Sequence, residues 1–235
     1  MIGFQDASKY YYTQDGVRVV LHEASLLFER TVRLALFAQP GSGKSLIARM
    51  LAGIENPSSG TVLPAGGDCW RLNDSTVLQP YLTGEQNIRI IAELKSVDPD
   101  KTSAFVMDFS ELGDRYFDSL QTYSSSMRGR LGFALSMALP VDFFVADQGI
   151  QVGIGRYRDK CETILKERLE NAGIFVVTSN PSFAKITCDS FAVLRNGQFV
   201  PCDSYSEAIE LFQEGEDEFD AIRSMIAAYG RNVTD

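Results

Sequence analysis

Ala38-Gln39-Pro40-Gly41-Ser42-Gly43-Lys44-Ser45 is the stretch that decides how this chain is read. It fits the pattern Gly-x4-Gly-Lys-Ser/Thr except at the first glycine, where Ala38 stands. Val32–Phe37 before it reads as a buried strand, and Leu46–Ala52 after it reads as a helix. That strand–loop–helix context is what a phosphate-binding loop requires. Its backbone N–H groups, together with the N-terminus of the helix, surround a β-phosphate. Lys44 is placed to reach the β/γ oxygens, and the Ser45 hydroxyl to ligate Mg²⁺. A glycine-rich turn that merely caps a helix would not need Lys-Ser at this offset between these flanks.

Composition narrows the possibilities around this motif. A chain of 235 residues is long enough for one large α/β domain with a sizeable core. Its net charge of −9 argues against a nucleic-acid surface, which would need a basic stripe. Four scattered cysteines, Cys69, Cys161, Cys188 and Cys202, form no Cys-x-x-Cys pair and are expected to be reduced thiols of a cytosolic protein. Met1–Asp6 has neither a basic n-region nor an apolar h-region, so no targeting segment is expected there. The longest apolar stretch, Leu131–Val141, contains Pro140 and is too short to span a bilayer, so any membrane role is expected through a partner.

Outward from the loop, strands and helices alternate. Residues 1–30 read as two or three antiparallel strands, with a turn at Thr13-Gln14-Asp15-Gly16. Residues 81–140 are helix-rich, and Ile88–Leu94 is the clearest helix. Phe143–Ala146 is a short apolar strand ending at Asp147, Arg158–Asn171 an amphipathic helix, and Ile174–Thr178 another buried strand. Phe191–Val200 reads as a hairpin turning at Asn196-Gly197, and a short helix is expected around Ala221–Tyr229 after the acidic run Glu214–Asp220. The order implies a mostly parallel core sheet with the nucleotide at its carboxyl edge and antiparallel strands to one side. We expect a single α/β domain over 1–235, with a helical subdomain inserted at about 81–140 and an acidic segment and helix at 213–235.

Asp147, at the end of an apolar strand about one hundred residues beyond the loop, has the form of a Walker B carboxylate that holds Mg²⁺ through its water shell. Between the two motifs lies Tyr123-Ser124-Ser125-Ser126-Met127. Here the chain resembles the ATP-binding subunits of ABC transporters, and within them the branch that exports capsular and other cell-surface polysaccharides. That branch carries Tyr-Ser-Ser-Gly-Met before a helix. Over roughly residues 3–212 other resemblances follow in order: Tyr11 matches the aromatic that stacks on adenine, and Gln79, followed by Leu82-Thr83-Gly84 and Asn87, matches the Q-loop. Asp159-Lys160-Cys161 matches a short motif of the polysaccharide branch.

The resemblance implies a P-loop ATPase with an N-terminal antiparallel β-subdomain and a helical signature subdomain. It implies binding of ATP and Mg²⁺ by Tyr11, the loop residues Ala38, Gln39, Pro40, Gly41, Ser42, Gly43, Lys44, Ser45 and Leu46, and Gln79, with Ser124, Ser125 and Ser126 facing a partner's nucleotide. Ser45, Gln79 and Asp147 would serve the metal. Two subunits, identical or paralogous, would meet head to tail under a transmembrane permease subunit at the cytoplasmic face of the inner membrane. Helix N-termini from both sides would then face the γ-phosphate.

The departures from the pattern fall on hydrolysis. The glutamate expected after Asp147 is Gln148, which accepts hydrogen bonds but not a proton as a base. The histidine expected after Ser179 is Asn180, and the only histidine of the chain, His22, lies upstream of the loop. Ser126 replaces the last signature glycine, and Ala38 puts a Cβ where the loop either tolerates it or strains. Gln148 also matches an engineered glutamate-to-glutamine trap, although Asn180 and Ser126 favour natural divergence. Nucleotide binding is therefore expected to outlast hydrolysis. The leading reading is a polysaccharide- or glycolipid-export ATPase with slow or partner-dependent turnover. The alternative is a non-hydrolysing, ATP-gated regulatory protein. A DNA-repair ATPase of the same superfamily is disfavoured by the acidic charge and the lack of long heptads.

Single residues also have plainer readings. Only one of Tyr10, Tyr11 and Tyr12 can stack on a base if they alternate across a strand, and the spacing to Gly16 favours Tyr11. His22 is expected to be a surface or internally satisfied histidine and not a ligand. Arg128 and Arg130 are expected on the solvated or interface face of the signature helix, and Glu214–Asp220 as a solvated linker.

Overall fold

The computed structural model describes residues 1–13, 16–66, 68–150, 152 and 155–214. The turn residues Gln14 and Asp15, the acidic run beyond Glu214 and the helix expected around 221–229 lie outside them. Two sheets form. In the smaller one β1 (Ile2–Thr13) pairs antiparallel with β2 (Gly16–Phe28) on one side and with β4 (Ser59–Leu63) on the other. The larger has the order β5-β6-β7-β3-β8-β9, comprising β3 (Arg33–Phe37), β5 (Cys69–Arg71), β6 (Phe143–Asp147), β7 (Gly173–Thr178), β8 (Ser190–Arg195) and β9 (Gln198–Cys202). All pairings in it are parallel except β8 with β9, a hairpin that turns through left-handed Asn196 and Gly197.

The apolar runs of β6 and β7 are continuous because both faces of the sheet are covered. Phe143, Val145, Phe175 and Val177 point to one side, into a core shared with β1, β2 and helix α1 (Lys44–Leu51). Phe144, Ala146, Ile174 and Val176 point to the other side. There they meet α4 (Ser125–Ala138) and α5 (Arg156–Arg168), with α2 (Gly84–Leu94) and α3 (Pro99–Ser110) beyond. A last short helix, α6 (Pro181–Thr187), follows β7, and residues 205–214 are helical. Phe28 stacks on Phe175 at 5.9 Å between centroids, locking the small sheet to the large one.

Local signals explain the helix starts. Thr83 and Gln86 make a reciprocal capping box at α2, and Asp98 followed by Pro99 opens α3. Ser124 caps α4 and Asn180 caps α6. The helices α2–α4 occupy the stretch read as helix-rich. The α5 helix runs from Arg156 to Arg168 and not to Asn171, since the chain must turn to enter β7 at Gly173.

The register of the parallel strands is what builds a site. Phe37 lies beside Thr178, and Asp147 beside Val177. The carboxyl ends of β3, β6 and β7 therefore open at one edge, with the phosphate-binding loop, Asp147 and Thr178 together. Strand β5 is held against the helical side by Ser136 of α4, whose hydroxyl accepts from Trp70 Nε1 and from the Asn73 backbone N–H, each at 3.1 Å. Ser136 donates in turn to the Gly132 carbonyl at 2.8 Å. Ser136→Ala would leave those two donors unpaired and is expected to cost about 1–3 kcal/mol in chemical denaturation.

Candidate functional site

The loop leaves β3 at Ala38 and enters α1 at Lys44. Gly41 and Gly43 have φ of 83° and 95°, in the left-handed region that glycine adopts without penalty. A Cβ on Gly43 would also meet Val20 Cγ1 at 2.4 Å. Ala38 is not among the left-handed residues; it is fully buried in the core, and its N–H donates to the Thr178 carbonyl at 3.0 Å. Its methyl group is thus accommodated without backbone strain.

Lys44 is buried beneath the loop, its Nζ donating to the Gln39 carbonyl at 2.8 Å and to the Ala38 carbonyl at 3.2 Å. Burial lowers its pKa, and the charge of Asp147 opposes that shift. The Gln39 carbonyl also accepts from Ser42 N and Oγ, while the Gln39 side chain donates to the Phe212 carbonyl at 3.0 Å. Pro40 and Ser45 are exposed, the latter at the start of α1.

In front of the loop lies a cleft of about 450 Å³ lined by Tyr11, Arg18, Val20, Gly41, Gly43, Lys44, Ser45, Leu46 and Arg49. Tyr11 faces it, whereas Tyr10 and Tyr12 pack edge to face with each other at 6.0 Å. Arg18 is the cross-strand partner of Tyr11, and its guanidinium donates to the Gly41 carbonyl. Sequence reading missed Arg18. The hairpin register around Gln14-Asp15 could have found it, since a strand residue directly opposite Tyr11 shares its face.

A second cleft, of about 140 Å³, opens beside Asp147 and is lined by Arg71, Leu72, Asn73, Asp74, Ser75, Val145 and Gly149 as well. Asp147 Oδ1 is buried with no hydrogen-bond partner in the structure. Gln79 is not among these lining residues: it is exposed, and its backbone is clamped by the Asn87 side chain through contacts of 2.6 and 3.0 Å. The structure thus brings the charges of Lys44 and Asp147 within each other's field, while Gln79 lines neither of these two clefts.

Gln148 has a left-handed backbone, φ 74°, with its N–H on the Val177 carbonyl at 2.8 Å. Its side-chain Oε1 turns toward β7, accepting from Thr178 Oγ1 at 3.3 Å and Ser179 N at 3.4 Å. Asn180 is exposed; its side chain accepts from Ser182 N at 3.0 Å as the cap of α6. Ser124, Ser125 and Ser126 are exposed at the N-terminus of α4, outside the loop cleft.

The family model for ABC transporters matches residues 21–150. The ATP-binding protein BexA of Haemophilus influenzae is 35% identical over 91% of this chain and 99% of its own length. The capsule polysaccharide export ATP-binding protein CtrD of Neisseria meningitidis serogroup B is 35% identical over 90% of this chain and 98% of its own. This chain is an ABC transporter ATP-binding domain. The fold agrees: a dimeric ATP-binding cassette, MJ0796, in a post-hydrolysis state with ADP and phosphate, superposes with a TM-score of 0.72 at 17% identity, covering 85% of this chain and 96% of that one.

For an ABC domain the residues present fit a nucleoside triphosphate with Mg²⁺. The left-handed glycines leave the loop backbone open to phosphate, Lys44 supplies a cation, and Asp147 carries an unpartnered carboxylate oxygen. One expectation is corrected. Arg128 is exposed, its guanidinium donating to the Tyr123 carbonyl at 3.1 Å, but Arg130 turns inward and covers the Tyr157 ring at 4.1 Å, because an aromatic face on α5 lies within its reach. His22 is exposed, as expected. Among the described residues no helix is long and apolar enough to cross a membrane.

Two outcomes follow from the loop. Ala38→Gly is expected to leave ATP affinity within about twofold and to lower stability by about 0.4–1 kcal/mol, read by titration calorimetry and thermal melting. ATP affinity should be flat at neutral pH and should fall above the lowered pKa of Lys44, an alkaline limb that begins below the ordinary lysine value of 10.5. Above that point binding must first restore the proton. Lys44→Met should abolish the limb and weaken binding about 10–100-fold.

Proposed function

We propose that this chain is the nucleotide-binding subunit of an ABC exporter of a cell-surface polysaccharide or glycolipid. It binds ATP·Mg²⁺ at a head-to-tail dimer interface, with hydrolysis that is slow or depends on a paralogous partner. The observation that carries this reading is the match, over nine-tenths of the chain, to a capsule polysaccharide export ATP-binding protein, with Lys44, Ser45 and Asp147 present. The transmembrane partner is supported by a cleft of about 180 Å³ where Ile54, Trp70, Val77 and Lys95 meet, close to exposed apolar residues of the helical side. A short helix of a permease at the cytoplasmic face of the inner membrane would dock there.

In this reading the loop amides and Lys44 would hold the phosphates, Tyr11 and Arg18 would flank the nucleoside, and Ser45 and Asp147, with Gln79, would serve Mg²⁺. When bound, Mg²⁺ neutralises charge on the β/γ oxygens. The helix dipole of α4 presents Ser124–Ser126 to the partner's γ-phosphate. Gln148 orients a water through its amide but takes no proton, and Asn180 spends its side-chain oxygen on the cap of α6. That engagement favours a second reading, in which ATP gates assembly without being hydrolysed.

Purified chain should bind ATP·Mg²⁺ yet show little single-turnover hydrolysis. The Gln148→Glu, Asn180→His variant is expected to gain about 10²–10⁴-fold in rate. It should lose about 1 kcal/mol of stability as the α6 cap disappears. Full turnover by the unmodified chain would overturn the weakened-hydrolysis reading. Recovery of a soluble rather than a transmembrane partner would favour the gating reading.

A further inference from the structure

The Asp159-Lys160-Cys161 run lies outside both clefts, so nucleotide contact does not account for it. Lys160 points from α5 to the end of α3. Its Nζ donates to the Phe109 carbonyl at 3.2 Å and pairs with Glu111 at 3.0 Å, while lying 4.4 Å from the Phe109 ring centroid. Phe109 offers one of the last carbonyls of α3, which have no partner within the helix, and Glu111 is its left-handed C-cap. A cation there also meets the negative end of the helix dipole.

Glu111 has a second cation near it, Arg130 of α4, at 3.9 Å. Arg130 in turn covers Tyr157 of α5 at 4.1 Å. The contacts therefore close a ring through three helices: α5 to the end of α3, α3 to α4, and α4 back to α5. Cys161 and Tyr157 are buried beneath it, and burial pushes the Cys161 thiol up to about 12, so it remains a neutral packing group.

The ring joins two parts that matter separately. Arg130 stands one turn, about 6 Å, along α4 from Ser126. The α5 helix begins eight residues after Gln148, on the core side. We propose that Lys160 is a positioning residue, which fixes the signature end of α4 to the core of its own subunit and so sets the spacing between Ser124–Ser126 and the phosphate-binding loop. This rests on the head-to-tail dimer proposed above. In such a dimer each subunit offers its loop to one nucleotide and its signature end to the other. Both sites close together only when that internal spacing is held in advance.

The side chains of Lys160, Glu111 and Arg130 are 36, 50 and 30% exposed, so their charges add little to folding stability. The apolar packing of Phe133, Cys161 and Leu165 holds the helices together. What the ring restricts is the remaining freedom of one helix end, a cost met twice when a dimer closes.

The test uses the full chain, with ATP·Mg²⁺-driven dimerisation followed by sedimentation velocity and monomer nucleotide affinity by a fluorescent ATP analogue at high dilution. Lys160→Met should weaken dimerisation about tenfold, since two copies of the ring are lost, with monomer affinity unchanged and the melting temperature within about 3 °C. Lys160→Arg should restore dimerisation, and so should the charge swap Lys160→Glu with Glu111→Lys in part. Unchanged dimerisation of Lys160→Met, or a parallel loss of monomer affinity, would overturn the proposal while leaving the dimer itself intact. If the unmodified chain does not dimerise with ATP, the homodimer fails and takes with it the inference, which counts two copies of the ring.

Discussion

A single buried ammonium organises this domain. Lys44 Nζ sits under a loop whose own carbonyls hold it, at 2.8 and 3.2 Å, within the field of Asp147 from β6, two strands away from β3. A lysine so placed is costly to bury unless something compensates it. The compensation depends on the parallel register that sets β3 between β7 and β8 and places β6 beside β7. Shifting β6 by one residue would turn Asp147 to the other face of the sheet and leave the lysine without that charge. The apolar cores on both faces of the sheet keep the register in place, so the packing of Phe143, Phe144, Ile174 and Phe175 bears directly on the electrostatics of the loop.

What was legible in the sequence follows from this. The core strands announced themselves as short apolar runs because both faces are covered, and the loop announced itself because its glycines are required by backbone angles. The hairpin at Asn196-Gly197 was equally plain. Strand β5 was not, since three residues paired on one edge carry no periodicity of their own. Helix α6 was hidden for a related reason, and α3 was legible only as part of a helix-rich stretch: each is set by a cap and a proline at its start more than by an apolar stripe. At the site, the loop and Asp147 were readable as motifs, whereas Arg18 needed the strand register and the inward turn of Arg130 needed the position of Tyr157. Contacts between distant segments leave no local pattern to read.

Gln79 shows the limit of motif spacing in another way. It stands at the expected distance before Leu82-Thr83-Gly84, yet the residues beside Asp147 are those that immediately follow β5, Leu72 to Ser75. Asn87 fixes the Gln79 backbone at the entrance to the helical side, and the side chain faces solvent. Asp74 lies closer to the site but is already engaged, by Arg71 at 2.8 Å and by Thr76. One contact between the helical side and the nucleotide edge is the backbone after β5, which Ser136 ties to α4.

In the proposed reading, binding and hydrolysis would rest on different kinds of structure. The loop would hold phosphate with backbone amides, a helix terminus and one lysine, features fixed by main-chain geometry and a buried core. A methyl group at Ala38 is absorbed by that core without moving the loop into a strained region. Hydrolysis would depend instead on side chains just beyond the carboxyl ends of β6 and β7, Gln148 and Asn180. Gln148 adopts a left-handed backbone and leans on Thr178 and Ser179, and Asn180 takes up the capping of α6, for which asparagine is well suited. Each side chain meets a local structural demand, and in the proposed reading each also leaves the γ-phosphate side without a base or an imidazole. On that reading the fold would keep its grip on nucleotide while its chemistry receded, because Gln148 and Asn180 are engaged by structural partners within a few ångströms.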